Sequence, residues 1–475
     1  VAVFVPVWHA ENCIQCNQCA FVCPHATIRP FAMNAEEAAA APAQTKFTAK
    51  MIGKGCEDLK FTMAISPLDC MGCTLCVKAC PTKPEKRAIE MVAQETQLDQ
   101  QEVFDYAVAN VSEKNLPFAD STVKGSQFKQ PLLEFSGSCA GCAETSYARL
   151  ITQLFGERMY ISNATGCSSI WGGSAPATPY TVNRESGRGP AWANSLFEDN
   201  AEHGLGIALG QKTLRERYIQ KVRDLLVRYK EMNVTAEWTG CLEGYLDTLD
   251  DAEANAAAVE HMCSMLAEDV ARGTCETVPA EREILEGKDY LAKKSIWIFG
   301  GDGWAYDIGF GGLDHVLASG EDVNVMVFDT EVYSNTGGQA SKASNIGQVA
   351  QFAAAGKAIG KKSLSEIAMS YGYVYVAQIA MGADMAQTLK AIKEAEAYHG
   401  PSLIIGYAPC EMHGIKKGGM QNCQLEMKKA VEAGYWNMFR YNPAAEGAKL
   451  TIDSKAPTGD YQAFITNEAR YSRLA

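Results

Sequence analysis

The chain has 475 residues, and its 43 Lys and Arg against 56 Asp and Glu give a formal charge of −13 at pH 7. This length predicts more than one domain, and the acidic balance disfavours nucleic acid as the main partner because phosphate binding needs a basic surface. A hydrophobic fraction of 47% with 21% charged residues argues against disorder, and no apolar run approaches a membrane span, so the sequence predicts a soluble chain.

The N-terminus lacks the basic and then apolar layout of a signal peptide. The first residue is Val1 in place of Met, and residues 1–8 have the pattern of a strand interior. We therefore expect the C-terminal portion of a longer protein, or a processed product.

Two cysteine runs near the N-terminus share one spacing, Cys13-x2-Cys16-x2-Cys19-x3-Cys23-Pro24 and Cys70-x2-Cys73-x2-Cys76-x3-Cys80-Pro81. This is the run of bacterial ferredoxins, in which the fourth cysteine of each run binds the other of two 4Fe-4S clusters. The spacing predicts that each cluster is bound by the first three cysteines of one run and the fourth cysteine of the other. The first cluster is expected on Cys13, Cys16, Cys19 and Cys80, and the second on Cys70, Cys73, Cys76 and Cys23. A pair of zinc sites is the alternative, although zinc ribbons use separated C-x2-C pairs. Such clusters need a reducing compartment, and oxygen-sensitive iron favours the cytoplasm of an anaerobe.

The sequence predicts a small α+β ferredoxin-like domain over residues 1–110, with an insertion at 26–69. A polar linker follows at 111–130, and a second domain covers 131–475. Five cysteines outside the patterned groups are expected to pack as small buried hydrophobes: Cys56, Cys241, Cys263, Cys275 and Cys423.

The second domain alternates short apolar strands with helical patterns. Strands are predicted at 295–299, 324–328, 373–379 and 403–407, and helices at 213–230 and 250–271. Continuous apolar strands separated by helices are typical of a doubly wound, mostly parallel α/β sheet covered on both faces. The stretch 166–210 has too little periodicity to predict regular structure, and long irregular segments are often functional.

Two strand ends carry polar and glycine-rich motifs. Gly301, Asp302 and Gly303 follow the first strand, and the second ends in the string DTEVYSNTGGQ at 329–339. Ligands of open α/β sheets bind at the carboxyl ends of strands, and glycines let the backbone approach a diphosphate. Asp302, Thr330 and the carbonyl of Val332 supply the oxygen ligands that a divalent cation prefers.

These two segments resemble the thiamine-diphosphate motif, in which G-D-G is followed further along by Asn, a place that Thr330 takes here. The longer strings GDGWAYDIG and DTEVYSNTGGQ, after a double ferredoxin module, resemble pyruvate:ferredoxin (flavodoxin) oxidoreductases across essentially the whole chain. The resemblance implies the C-terminal part of such an enzyme, with a ferredoxin-like domain before a thiamine-diphosphate-binding domain.

Four further cysteines are Cys139, Cys142, Cys167 and Cys410. From the residues alone, Cys139 and Cys142 are equally well a redox dithiol, a zinc half-site, packing residues or cluster ligands. The resemblance implies that all four bind a proximal 4Fe-4S cluster. It also implies contacts with thiamine diphosphate from a larger set of residues: Glu144, Cys167, Gly301, Asp302, Gly303, Trp304, Thr330, Glu331, Val332, Tyr333, Ser334 and Asn335. Asn335 is the expected catalytic residue beside the substrate, and His413 is expected to be structural.

The resemblance implies oxidative decarboxylation of pyruvate with coenzyme A to acetyl-CoA and CO2. Electrons would pass one at a time through three 4Fe-4S clusters to ferredoxin or flavodoxin, with thiamine diphosphate and Mg2+ as cofactors. The family's group that activates the aminopyrimidine ring lies in N-terminal domains that nothing here matches. We therefore expect the chain alone to be inactive and to work with those domains, in a homodimer of the full enzyme. The alternatives are an oxidoreductase for another 2-oxo acid such as 2-oxoglutarate, a non-catalytic electron-relay subunit, and a thiamine decarboxylase without redox function.

Overall fold

The computed structural model describes residues 2–173, 177–273 and 275–474. The chain divides into two compact units: Val1–His203 with Trp297–Ala475, and Gly204–Ile296. Within the described ranges, no helix combines the length and the apolar character needed to cross a bilayer.

The first unit opens with two antiparallel strand pairs. The strands are β1 (Phe4–Trp8), β2 (Ile28–Met33), β3 (Lys60–Ile65) and β4 (Ile89–Ala93). β1 pairs with β4 and β2 with β3. The accompanying helices are α1 (Gln18–Phe21), α2 (Ala35–Ala40), α3 (Leu75–Ala79) and α4 (Gln100–Asn110). Each cysteine run thus leads into a short helix, α1 or α3, and the layout is repeated as the two runs predict.

The segment that follows contains more regular structure than the sequence predicts. Its elements are α5 (Val123–Ser126), α6 (Ala143–Phe155), β5 (Met159–Ala164), α7 (Cys167–Gly173), β6 (Ala191–Ser195) and the start of α8 (Asn200–Glu231). The expectation of irregular chain over 166–210 was therefore wrong. β6 is the terminal strand of its sheet and is only partly buried, so it lacks the continuous apolar run of an interior strand.

The second unit is helical. It contains most of α8 and then α9 (Ala236–Asp247), α10 (Ala252–Arg272), α11 (Val278–Glu286) and α12 (Lys288–Leu291). Asp251 caps α10 by accepting hydrogen bonds from two backbone N–H groups, and Gly273 ends it with φ of +67°. The helices predicted at 213–230 and 250–271 are confirmed as parts of α8 and α10, although α8 begins 13 residues earlier than predicted.

An eight-stranded sheet forms the core of the first unit. Besides β5 and β6 it contains β7 (Ser295–Gly301), β8 (Asn324–Asp329), β9 (Tyr375–Ile379), β10 (Ser402–Tyr407), β11 (Phe439–Tyr441) and β12 (Leu450–Ile452). Their order is β12-β11-β9-β10-β8-β7-β5-β6. The neighbours β9–β10, β10–β8, β8–β7 and β5–β6 are parallel, whereas β11 runs antiparallel to β9 and β12. The remaining helices are α13 (Phe310–Ala318), α14 (Leu364–Met369), α15 (Met385–Ala397), α16 (Cys423–Glu432) and α17 (Tyr461–Thr466). The predicted α/β fold and its four apolar strands are confirmed.

Candidate functional site

A cavity of about 170 Å³ opens where β5, β7 and β8 end. Most of the predicted thiamine-diphosphate contacts line it: Glu144, Cys167, Gly301, Asp302, Gly303, Trp304, Thr330, Val332, Tyr333, Ser334 and Asn335. Glu331 alone of that predicted set is outside the lining. Five lining residues are outside the predicted set of contacts, although Thr336 lies within the string DTEVYSNTGGQ and Gly166 and Ser168 flank Cys167: Thr165, Gly166, Ser168, Phe197 and Thr336.

Four oxygen-bearing groups meet on one wall of this cavity. The Thr330 Oγ1 atom lies 3.0 Å from Asp302 Oδ1, 2.9 Å from the Val332 carbonyl oxygen and 2.8 Å from Ser334 Oγ. One hydroxyl proton cannot serve all three neighbours, so the cluster has spare acceptor capacity. A hard divalent cation binds such oxygens, and the donor set therefore fits Mg2+.

Asp302, although part of this wall, is nearly fully buried. Burial raises the pKa of Asp302 to about 8, and the charge of Asp329 adds to the effect, while a 2.6 Å hydrogen bond from Ser341 Oγ opposes it. A bound cation would favour the ionised carboxylate.

Glu331 holds the backbone of this wall from behind. It adopts φ of +60°, which residues other than glycine rarely do. Its carboxylate is fully buried and accepts hydrogen bonds from Arg470 Nη1 at 2.5 Å, Tyr435 Oη at 2.6 Å and Lys361 Nζ at 3.1 Å. Burial alone would raise the pKa of Glu331, but the charges of Lys361 and Arg470 hold it at about 2.

The ferredoxin-type cysteines form two groups across the two runs. Burial raises the pKa of the Cys19 thiol well above its usual value, and the neighbouring charges of Cys16, Cys13 and Cys80 raise it further. Burial likewise raises the pKa of Cys73 to about 12, with contributions from Cys23 and Cys70. The fourth cysteine of each run thus lies with the first three of the other run, in the arrangement that the spacing predicts. Iron binding would deprotonate these thiols.

The two runs also share one backbone conformation. Positive φ occurs at equivalent places, at Gln15 and Asn17 in the first loop and at Gly72 and Thr74 in the second. The Gln15 amide N–H donates to Cys13 Sγ and the Gly72 amide N–H to Cys70 Sγ, each at 3.4 Å. Hydrogen bonds to sulfur are one of the means by which proteins tune iron–sulfur clusters.

A third cysteine group lies against the cavity. Burial raises the pKa of Cys410 to about 11, and the charges of Glu144 and Cys139 contribute. Burial also raises the pKa of Cys167, with contributions from Glu144, Cys142 and Cys410. The four scattered cysteines therefore lie within electrostatic reach of one another, and Cys167 also lines the cavity. Among the described residues, no three His, Cys, Asp or Glu side chains could hold one metal ion together; in a 4Fe-4S cluster the four thiolates bind different irons.

The third group touches the second through the 139–142 loop. Gly141 has φ of +81°, and a Cβ built there would lie 3.6 Å from Cys73 Cβ and 2.8 Å from a backbone oxygen of Met420. Cys423 Sγ donates to the Gly141 carbonyl at 3.1 Å. Cys423 and Cys56 are fully buried, as expected for the unpatterned cysteines, whereas Cys241, Cys263 and Cys275 are only partly buried, and for these three the expectation was wrong. The charge of Cys19 contributes to the raised pKa of Cys76, which indicates that the first two groups are also neighbours.

Two side chains outside the predicted set hold the cavity wall. Trp171 Nε1 donates to Glu144 Oε2 at 2.9 Å; burial raises the pKa of Glu144 to about 7, and this hydrogen bond opposes the rise. His413 Nε2 donates to the Thr330 carbonyl at 2.7 Å, which agrees with its expected structural role. Neither contact has a local sequence signal, since the partners lie 27 and 83 positions apart.

Comparison with known families finds two matches. Residues 12–83 match a 4Fe-4S dicluster domain. Residues 287–405 match the C-terminal TPP binding domain of thiamine pyrophosphate enzymes. A 2-oxoglutarate:ferredoxin oxidoreductase from Magnetococcus marinus aligns with a TM-score of 0.35 and 14% identity, over 69% of this chain and 84% of that one.

Closer relatives match the chain from end to end. It is 52% identical to a pyruvate-flavodoxin oxidoreductase from Klebsiella pneumoniae and 53% identical to a pyruvate:ferredoxin oxidoreductase from Moorella thermoacetica, over 100% of its length in both. It is 46% identical to a mitochondrial pyruvate dehydrogenase (NADP+) from Euglena gracilis, of which it covers 26%. The chain spans 39% and 40% of the first two relatives. The two family matches and this identity along its whole length show that the chain is similar to one part of the pyruvate:ferredoxin (flavodoxin) oxidoreductases.

Proposed function

We propose that this chain supplies the cofactor-binding and electron-transfer part of an enzyme that oxidises pyruvate with coenzyme A to acetyl-CoA and CO2. The electrons go singly to ferredoxin or flavodoxin. The observation that carries the proposal is the approach of four cysteines from distant segments to one another beside a cavity with an oxygen-rich wall. An electron-relay subunit has no need of that wall, and a decarboxylase without redox function has no need of those cysteines.

The cavity wall suits a diphosphate bridged by Mg2+. Asp302, Thr330 and the Val332 carbonyl would hold the cation. Gly303 leaves room for the diphosphate, because a Cβ there would already lie 3.1 Å from the Tyr333 ring. Bound thiamine diphosphate supplies the carbon nucleophile that permits loss of CO2 from a 2-oxo acid.

The other lining residues control what enters. Trp304 is buried, and with Phe197 it lines the cavity with apolar rings that limit the access of water. Asn335 is exposed at the cavity, where its amide can donate hydrogen bonds to the oxygens of a 2-oxo acid. We assign Asn335 as the catalytic residue beside the substrate.

Each cysteine group would hold one 4Fe-4S cluster. Contact between Gly141 and Cys73 supports an order that starts at the group of Cys167, continues to the group of Cys73 and ends at the group of Cys13. Ile14, between two cysteines of that last group, is 53% exposed, so an external carrier can come close to it.

This chain matches about two-fifths of the length of its first two relatives, and we propose that the rest of that length supplies the remaining parts of the enzyme. We propose that residues 1–110 are a ferredoxin-like domain and residues 131–475 a thiamine-diphosphate-binding domain, joined by 111–130, and that activity needs the N-terminal domains of the same enzyme in a homodimer. The cytoplasm of an anaerobe suits the oxygen-sensitive clusters. Turnover by the isolated chain would contradict the predicted dependence on those domains.

Metal analysis with one cysteine variant tests the proposal. The anaerobically purified chain should contain about 12 iron and 12 sulfide per molecule, and Cys410→Ser should contain about 8 of each. Cys263→Ser, in the helical unit, is the matched control and should keep all of the iron. If Cys410→Ser kept its full iron content and showed three reducible clusters by EPR, Cys410 would not be a ligand of the proposed proximal cluster, and the proposal would be wrong.

Activity is then measured with the remaining domains present. Reduction of ferredoxin should require both pyruvate and coenzyme A, and Cys410→Ser should abolish it. Faster reduction with 2-oxoglutarate than with pyruvate would assign the enzyme to a different substrate.

A further inference from the structure

We propose that Glu468 and Arg470 are positioning residues for the cation site: they hold the backbone at residues 330 and 331 so that the oxygens of Thr330 and Val332 meet Asp302. This inference rests on the proposed function, because that function defines the site. Neither residue lines the cavity.

Arg470 holds the side chain of Glu331. It is 3% exposed, and its Nη1 atom donates to Glu331 Oε2 at 2.5 Å while its Nε atom donates to Glu468 Oε2 at 2.6 Å. Its Nη2 atom lies 3.2 Å from Tyr407 Oη and 3.3 Å from Tyr435 Oη. Every nitrogen of the guanidinium thus has a hydrogen-bond partner within this buried network.

Glu468 links that contact to a second one. It is fully buried, and its Oε1 atom lies 3.7 Å from His413 Nδ1. The opposite ring nitrogen of His413 donates to the Thr330 carbonyl. The C-terminal turn therefore holds Glu331 directly through its carboxylate, whereas Thr330 is held through its carbonyl by His413, which faces Glu468 at a distance longer than a hydrogen bond.

The backbone conformation of Glu331 has to be stabilised by contacts of its side chain. Glu331 has φ of +60°, a region that L residues other than glycine avoid. Its neighbours on both sides supply oxygens to the proposed cation site, 2.9 Å apart between Thr330 Oγ1 and the Val332 carbonyl. If the Glu331 carboxylate is released, rotation toward an extended conformation separates those oxygens.

The C-terminal turn is itself fixed by the main chain. The Val349 N–H donates to the Arg470 carbonyl at 2.6 Å, and the Ala469 N–H donates to the Gly414 carbonyl at 2.9 Å. Residues 468–470 are thus fixed by contacts outside the cation site, as residues that position others must be.

The test compares Arg470 with a matched arginine elsewhere in the chain. Arg440 is also largely buried and paired with two carboxylates, Glu394 at 2.7 Å and Asp453 at 3.0 Å, and none of these residues lines the cavity. The full chain is prepared as Arg470→Met, Arg470→Lys, Glu468→Gln and Arg440→Met. Hydrogen exchange of peptides covering 329–336 is measured first, and then the Kd of thiamine diphosphate across a series of Mg2+ concentrations.

Arg470→Met should speed exchange at 329–336 and raise the Kd at limiting Mg2+ by roughly 10- to 100-fold, the usual cost of losing a residue that orients metal ligands. Glu468→Gln should act in the same direction, Arg470→Lys should give an intermediate Kd, and saturating Mg2+ should recover much of the loss. Arg440→Met should change neither reading by more than about twofold, because it acts at a separate place.

If Arg470→Met and Arg440→Met had equal effects on exchange and on Kd, the network around Arg470 would contribute only to general stability. That result would overturn the inference. No effect of any Arg470 or Glu468 variant would do the same. If Arg470→Met does not fold, Arg470→Lys and Glu468→Gln provide the same comparison. A wild-type chain that binds no thiamine diphosphate would instead contradict the proposed function, and the exchange data would still test the hold on residues 330 and 331.

Discussion

The two glycines at the end of β7 should respond to alanine in opposite ways. A Cβ on Gly300 would lie 2.4 Å from the Trp304 ring and 2.9 Å from Ala164 Cβ, both well inside van der Waals contact. A Cβ on Gly301 would meet only the Phe328 carbonyl oxygen at 3.9 Å, because it faces the cavity. The methyl group of Gly300→Ala would clash with protein atoms, whereas that of Gly301→Ala would clash only with a molecule bound in the cavity.

Gly300→Ala should therefore destabilise the chain by roughly 1–3 kcal/mol, the usual cost of overpacking a buried site. Trp304 is 1% exposed, so its ring can withdraw only into the cavity that it lines. Gly301→Ala should leave the free energy of unfolding of the cofactor-free chain unchanged, but weaken thiamine-diphosphate binding at least tenfold.

The assay pairs denaturant unfolding of the cofactor-free chain with calorimetric titration of thiamine diphosphate in Mg2+. If Gly301→Ala binds the cofactor as tightly as wild type, the diphosphate does not lie against Gly301. If Gly300→Ala unfolds at the wild-type denaturant concentration, the Trp304 ring does not resist the added methyl group.

Three further outcomes follow from the structure. Gly72→Ala places a Cβ 2.9 Å from Ala2 Cβ at φ of +68°, so iron content should fall from about 12 to about 8 per chain as the second cluster is lost. Burial, with the charge of Asp269, raises the pKa of Glu281, so the stability of the helical unit should fall as pH rises through that folded-state pKa. Glu281→Gln should flatten this dependence and slow hydrogen exchange in α10 and α11 at pH 8; a steeper pH dependence in the variant would contradict the sign. Chelation of Mg2+ by EDTA should release thiamine diphosphate but leave the cluster absorbance intact, and cofactor retention would count against the oxygen site.

The parts of the fold that the sequence predicts are those encoded in local composition. β8 and β10 are buried at every residue, so their apolar runs are unbroken and visible without a structure. β6 is a terminal strand with a partly exposed surface, and its sequence AWANS carries no such run. The helical unit 204–296 has periodic helices, but nothing in their periodicity shows that they form a separate unit.

The candidate site divides in the same way. The spacing of the two cysteine runs predicts their grouping, because three of the four cysteines of each group lie in one loop. Glu468 and Arg470 lie 137 and 139 positions beyond Glu331, and only the fold brings them together. Long-range contacts through single side chains leave no repeated pattern in a sequence, so motifs indicate the site but do not show what holds it.

Helix α6 explains how the cysteine groups keep a fixed separation. Cys142 is its N-cap residue, and every residue of the helix is buried. One turn along, Ser146 Oγ donates to the Val22 carbonyl at 3.2 Å, and Arg149 Nη2 donates to the Phe21 carbonyl at 2.6 Å. The same rigid helix therefore fixes a cysteine of the third group at its start and the segment before Cys23 of the second group along its side. Since electron transfer is sensitive to distance, a buried helix that binds both groups is better suited to set their spacing than a loop would be.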